Sequence, residues 1–336
     1  MADTLSIQQS GSATVQDLGR FNGSRHGLPV NGALDQYSAR VANVLCGNDE
    51  SAPLVEITAL DFVATPSADV LIAVTGAPAE VTVGGMRHAQ WEPIAVRAGE
   101  PIRITGIHQG IRVYLALRGS VEADFLLGSC APDTVLGFGS QLRQGDELAI
   151  LAPCPAIDHP VFRQPLFRLR PRIPRFGEPW TIDVTDGPDL AEFGESARRL
   201  FDGSFVVTPR SNHVGLRLAG AVPQRVSGGE LLSRGVPVGA IEVPAGEELL
   251  VLHRGRGVTA GYPVLAVVTA AGLNPLGQVR PGQAIRFRRR TTAEAVAAHR
   301  AERSTVRALA DRVATVFESL RLPVRPAPVR QRRSEP

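Results

Sequence analysis

Short apolar runs set the fold class of this chain. None is longer than a strand: Val70–Val74 and Leu249–Leu252 are among the longest, whereas a helix that crosses a bilayer needs about 20 apolar residues. Ala79–Val83, Ile111–Leu117, Glu147–Leu151, Thr181–Val184, Ile241–Val243 and Ala284–Phe287 repeat the pattern, most of them bounded by Gly, Pro, Asn or Asp. Those boundary residues supply turn geometries, and short strands at regular spacing build sandwiches or barrels. With 336 residues the chain exceeds one ordinary core and fits two domains of roughly 150 residues each. The expectation is a mainly β protein with a few helices.

Three helices interrupt the strands. Asp35 stands where an N-cap belongs, Tyr37, Val41, Val44 and Leu45 form one face, and Gly47 follows the end. A second helix is expected over Leu190 to Phe201, after Asp186-Gly187-Pro188. The third runs from Ala293 to Leu320, with Val306, Leu309, Val313, Val316, Phe317 and Leu320 on one stripe and Pro323 as its stop. Seven prolines between Pro153 and Pro179 remove backbone donors and block regular strand pairing, which marks a connector. The expected division is an N-terminal β-rich domain over 1–155, a proline-rich connector over 156–179, a β-barrel domain over 180–290, a helix over 291–322 and a disordered tail over 323–336.

Two echoes run through the chain. Val96-Arg97-Ala98-Gly99-Glu100-Pro101-Ile102-Arg103-Ile104 returns as Val279-Arg280-Pro281-Gly282-Gln283-Ala284-Ile285-Arg286-Phe287. Each reads as a tight glycine turn opening a strand that alternates apolar residues with arginine. Ser24–Ala33 is echoed more loosely by Ser233–Ala240. Internal duplication explains both, and so does repeated use of the few residues that make such turns.

All 36 basic residues are arginine; there is no lysine. A Walker A loop needs its lysine on the phosphates, Schiff-base chemistry needs an amine, and biotin or lipoyl groups are carried on lysine. The chain alone is therefore none of these, and no cofactor is expected on it without partners. The net charge is only +3, much of the arginine excess lies in Arg163–Arg175 and Arg325–Arg333, and no aromatic residues interleave with a basic strand. Nucleic-acid binding is not expected. Three cysteines, Cys46, Cys130 and Cys154, show neither CxxC spacing nor an even count, and read as reduced thiols of a cytoplasmic protein. The first residues carry no basic-then-apolar pattern, so no secretory signal and no membrane association are expected.

Polar residues concentrate in Val15–Thr58. Gln16, Asp17 and Arg20 stand among glycines; His26 and Asn31 flank Gly27, Pro29 and Gly32; Asp35, Asn43, Asn48 and Glu56 follow. A loop this rich in glycine lets backbone approach a ligand, and an Asp/His/Arg set can hold an anion or move a proton. Asp35 also suits a helix cap and Asn48 a turn. His213 and His253 lack HxH or HxxxH spacing; they read as ordinary surface or turn histidines, and no metal site is expected.

Val15-Gln16-Asp17-Leu18-Gly19-Arg20, Gly27–Asp35, Ala42–Asn48 and Leu54–Thr58 resemble the N-terminal signature of the family of C-type 5-oxoprolinase subunits. That family is also known as allophanate hydrolase subunit 2, a biotin-dependent carboxyltransferase-like group that includes the Kip-type antagonists. Ala73–Ala77, Gly110–Ala116, Leu127–Ser129, Gly215–Leu218, Gly235–Pro244 and Ala260–Pro263 continue the resemblance in order. It implies two β-barrel-like domains, the second cyclophilin-like. It also implies a B-type (Kip inhibitor-like) partner and an A-type subunit that together open 5-oxoproline to glutamate with ATP. In fused urea carboxylases the equivalent region transfers a carboxyl group from carboxybiotin. ATP or carboxybiotin would thus be met only through the complex.

On that resemblance His26, Asp35 and Glu56 are catalytic candidates, and Arg20, Asn31, Asn43, Arg217, Glu242, Arg256 and Tyr262 are candidates for binding a small carboxylate or amide substrate. Departures from the family pattern cluster in the second half. Gly255–Val264 has lost an acid, an amide, a hydroxyl and a lysine but keeps Arg256, Thr259 and Tyr262; Arg234 replaces the usual glutamate; Ser211-Asn212-His213-Val214-Gly215 replaces Ser-Asp-Arg-Met-Gly. Charge reversal in a pocket changes pKa values and substrate preference. A catalytically degenerate, regulatory partner of a B-type subunit is the alternative to an enzyme subunit.

Overall fold

The computed structural model describes residues 3–139, 141–152, 157, 167–226, 229, 231–244 and 248–322. They fall into two compact units that are not continuous in sequence. The first draws on Met1–Gly19, Gln36–Arg175 and Arg303–Pro336, the second on Arg20–Asp35 and Phe176–Glu302. The proposed tail over 323–336 lies outside the described residues, as do 156 and 158–166 of the proposed connector. No helix among the described residues is long and apolar enough to cross a membrane.

The first unit contains β1 (Thr4–Gln9), β2 (Ala13–Gln16), α1 (Gln36–Leu45), β3 (Leu54–Thr58), β4 (Phe62–Pro66), β5 (Val70–Gly76), β6 (Glu80–Val83), β7 (Met86–His88), β8 (Pro93–Val96), β9 (Ile102–Thr105), β10 (Arg112–Leu117) and β11 (Glu147–Ala149). These strands form two antiparallel sheets, in the orders β11-β1-β4-β9-β6-β7 and β2-β3-β10-β5-β8. The expectation of a barrel is corrected here: neither sheet closes. The reason lies in the middle of the second sheet. Every residue of β5 is buried, because α1 packs across β5 and β10 and Thr75 Oγ1 donates to the Ser38 carbonyl at 2.7 Å. A strand covered on both faces reads as a continuous apolar run, a pattern that does not separate layers from a barrel. In the described part of the connector, Leu169 and Arg170 donate backbone N–H groups to the Glu92 carboxylate at 2.8 and 3.1 Å.

The second unit contains β12 (Trp180–Asp186), α2 (Arg198–Asp202), β13 (Phe205–Val207), β14 (Gly215–Ala219), β15 (Arg234–Gly235), β16 (Ala240–Glu242), β17 (Glu248–Leu252), β18 (Thr259–Ala260), β19 (Val264–Val268), α3 (Leu273–Leu276) and β20 (Ala284–Arg289). Seven strands close into a barrel in the order β12-β19-β16-β17-β14-β13-β20, while β15 and β18 pair as a separate ribbon. Alternation fills the barrel: Leu216, Leu218, Ile241, Leu249, Val251, Ile285 and Phe287 point into one core with Phe193 and Phe205. The helix expected over Leu190 to Phe201 is broken. A 3-10 segment, Leu190–Ala197, is interrupted by Gly194 at φ 49°, and α2 starts only at Arg198; a residue at that φ cannot continue a helix.

Helix α4 (Thr292–Ser319) buries Val306, Leu309, Val313 and Phe317, with the Arg118 guanidinium 4.8 Å from the centre of the Phe317 ring. Leu320, expected on the same stripe, lies past the helix end and is exposed. The first echo is the same structure twice. Gly99 and Gly282 have φ of 79° and 89°, and the residue after each closes the turn with its side chain, Glu100 accepting from Arg97 N–H at 3.1 Å and Gln283 from Arg280 N–H at 2.9 Å. The second echo is not: Ser24–His26 is a 3-10 turn, whereas Arg234–Gly235 is strand.

Candidate functional site

Glu242 is the carboxyl that the second unit treats most unusually. Ile241 points into the barrel core, so its neighbour Glu242 faces outward, where a carboxylate ordinarily meets water. Here it is 1% exposed. The outer face of the barrel is covered at this point by a small apolar cluster of Val236, Ala240, Leu252 and Val264, with Leu250, Ala260 and Val267 packed against it. Glu242 pairs across the sheet with Leu250 and Val264, and opposite the step from Ile241 to Glu242 strand β19 carries one extra residue, Leu265, a bulge. Ala260 belongs to the β15–β18 ribbon and Val236 directly follows β15, so the ribbon lies over this face. Burial raises the Glu242 carboxyl to about 7, and the charge of Arg234 opposes that rise without cancelling it. Its Oε1 has no hydrogen-bond partner among the described residues.

A charge of the ribbon, Arg234, acts on this carboxyl. Arg234, opposite Ala260 in the ribbon, is ion-paired with Asp189, whose Oδ2 also accepts from Val264 N–H at 2.7 Å. Asp189 thus ties the ribbon to the start of β19. Arg256 donates through both Nε and Nη2 to the Val236 carbonyl, at 3.0 and 2.7 Å. That leaves Nη1 buried and without a partner among the described residues; burial also pulls the guanidinium below its usual range. The loop carrying Arg256 is shaped by Gly255. A Cβ there would stand 2.4 Å from His213 Cδ2 and 3.3 Å from Asn31 Oδ1, so only glycine allows the two side chains to close over it. Asn31, at φ 53°, anchors to the same loop by donating its N–H to the Arg254 carbonyl at 2.9 Å. An acid that titrates near neutrality can move a proton, and a buried guanidinium with a donor to spare can hold a carbonyl or carboxylate.

The residues singled out in the sequence do not all meet here. Glu242, Arg256 and Asn31 border the covered face and its loop. Arg217 shares a cross-strand row with Leu250 and Glu242, but it is half-exposed and faces Glu248 at 3.7 Å. Tyr262 is 45% exposed. Arg20 is fully buried, and its N–H closes a loop onto the Val30 carbonyl at 2.6 Å. His26 is exposed beside Arg25, and the Asp35 carboxylate accepts from Gln278 Nε2 at 2.7 Å. Asn43 and Glu56 belong to the first unit. Asn43 bonds the Ala52 carbonyl and Asn48; Glu56 accepts from Tyr114 Oη at 2.8 Å and faces Arg112 at 3.5 Å. His253, read as a surface or turn histidine, is instead 2% exposed, because it directly follows Leu252 of the covered cluster. Sequence reasoning misses Asp189; the aspartate after Gly187-Pro188 is legible only as a turn residue.

The family model described as carboxyltransferase domain, subdomain A and B, matches residues 26–289. The C-type subunit of the Escherichia coli 5-oxoprolinase is 32% identical over 82% of this chain and 87% of that relative. The urea amidolyase of Saccharomyces cerevisiae is also 32% identical over 82% of this chain, which spans only 16% of that enzyme. The crystal structure of the K. lactis urea amidolyase superposes with a TM-score of 0.81 at 27% identity, covering 91% of this chain and 20% of that one. The chain belongs to the carboxyltransferase domain family, subdomains A and B, and is homologous to the C-type subunit of 5-oxoprolinase and to a region of urea amidolyase.

Proposed function

We propose that the chain is a non-autonomous subunit of a cytoplasmic, ATP-dependent assembly of the 5-oxoprolinase type, which opens a lactam or amide together with a B-type, Kip inhibitor-like subunit and an A-type subunit. Glu242 carries this reading: a carboxyl buried on the outer barrel face, titrating at about 7, can take a proton during ring opening and return it at physiological pH. Arg256 beside the same cluster supplies a fixed donor for the carbonyl or carboxylate of the substrate. The match over 87% of the E. coli relative supports the 5-oxoprolinase type. The same two groups also suit carboxyl transfer; carboxybiotin would then arrive on another chain, because this one has no lysine to carry it. ATP would be handled by a partner for the same reason. Under this reading the seven-stranded barrel is a relative of the cyclophilin-like barrels.

Co-expression with B- and A-type subunits tests the proposal. ATP-dependent conversion of 5-oxoproline to glutamate that disappears when this chain is omitted is the expected result. One observation favours a second reading, a regulatory descendant: the position that carries glutamate in the family pattern is Arg234, and it is committed to Asp189. A stable complex without turnover would support that reading, and failure to form any complex would refute both.

A further inference from the structure

Helix α4 and the turn that follows α1 enclose a cavity of about 370 Å³, lined by residues of the first unit. Its floor is apolar: Val44 comes from α1, and Val306 and Ala310 from one face of α4. Both walls are held in place by bonds of their own. The Asn48 side chain donates to the Leu117 carbonyl at 2.7 Å and accepts from Gly119 N–H at 2.8 Å, which pins the turn. Glu50 receives both prongs of Arg303, at 2.8 and 2.6 Å, which ties that turn to α4. A cavity of this volume is large enough for a small molecule, and walls already ordered lose little freedom when one binds.

Two charges on the α4 wall are unspent. Arg307 and Asp311 line the cavity at its exposed rim, and among the described residues neither side chain makes a hydrogen bond or an ion pair. They stand four residues apart on one helical stripe, with Cβ atoms about 5–6 Å from each other, in the base-before-acid order that pairs less well within a helix. A guanidinium without a partner keeps its fork for a carboxylate, and a carboxylate one turn away accepts from an ammonium. One ligand satisfies both if it carries the two charges on neighbouring atoms and an apolar remainder for Val44, Val306 and Ala310. We propose that this cavity binds a free aliphatic α-amino acid, with its carboxylate on Arg307, its ammonium on Asp311 and its side chain on the apolar floor. Acidic amino acids are disfavoured, because the lining also carries Asp49, whose charge repels a second carboxylate. The site belongs to the first unit and does not rest on the role of Glu242.

The probe is L-leucine, titrated into the full chain and followed by NMR. It should bind saturably with a Kd on the order of 1 mM, which so small a ligand can reach. Isocaproate, which lacks the ammonium, isoamylamine, which lacks the carboxylate, and glutamate should each bind about tenfold or more weakly. Arg307→Gln should weaken leucine about tenfold and leave isoamylamine unchanged, while Asp311→Asn should weaken leucine as much and leave isocaproate unchanged. Neither side chain bonds within the fold, so both variants should keep the thermal unfolding of the wild type. Leucine that does not saturate at millimolar concentration, that binds both variants as it binds the wild type, or that binds no better than isocaproate or glutamate overturns the proposal.

Discussion

Replacing Glu242 with glutamine should remove a pH dependence rather than simply weaken the fold. The carboxyl stands at about 7 in the folded chain against an ordinary 4.5. Between those values the folded state keeps a proton that the unfolded chain has released, so stability falls as pH rises through that window. The gap corresponds to roughly 3 kcal/mol, fully felt above about pH 7 and absent below about pH 4.5. Glutamine has nearly the same shape and no charge to desolvate, so the variant should match the wild type in acid and exceed it by about 3 kcal/mol near pH 8. Urea titrations across that range measure this. Trp180, 3% exposed in the barrel, reports on the second unit once Trp91 of the first is replaced by phenylalanine. The midpoint difference at the alkaline end should be on the order of 1 M urea. Other titrating groups are common to both proteins and cancel in the subtraction. Parallel stability curves would show that Glu242 titrates as an exposed acid does, and the argument from its burial would fail.

Arg234→Met takes away the charge that restrains the Glu242 carboxyl, so the pH window in the same experiment should extend upward; an unchanged window would mean that Arg234 does not act on Glu242. In the first unit, Gly47→Ala should cost about 2–4 kcal/mol, since φ is 71° there and a Cβ would lie 2.7 Å from both Arg118 Nη1 and Phe317 Cε2. Thermal unfolding checks this, and a neutral result would mean that the C-terminal part of α4 yields freely.

The strands were legible because their cause is local. Apolar runs bounded by turn residues became β5, β6, β10, β11, β12, β16, β17 and β20, and the Gly99 and Gly282 turns repeat down to the side chain that caps them. What escaped the sequence depends on layers. The run Val70–Val74 fits a barrel or a covered sheet equally, and only the packing of α1 decides between them. Outward position on β16 marks Glu242 as wet; what buries it is a ribbon formed by Arg234–Gly235 and Thr259–Ala260, and no periodicity reveals a cover. Asp189 and Arg234 lie 45 positions apart, and their pairing is a product of closure. The polar segment Arg20–Asp35, continuous in sequence with the first unit, joins the second, which only long-range bonds such as Asn31 to Arg254 and Asp35 to Gln278 express.

The central claim is that the covered face holding Glu242 and Arg256 does chemistry within an assembly. The most direct measurement is the ATP-dependent turnover of 5-oxoproline by a complex reconstituted with the Glu242→Gln chain beside one with the wild-type chain. The variant complex should still assemble, with turnover reduced by roughly 10²–10⁴-fold, the range expected for loss of a positioned acid–base group. Undiminished turnover in the variant complex would contradict it.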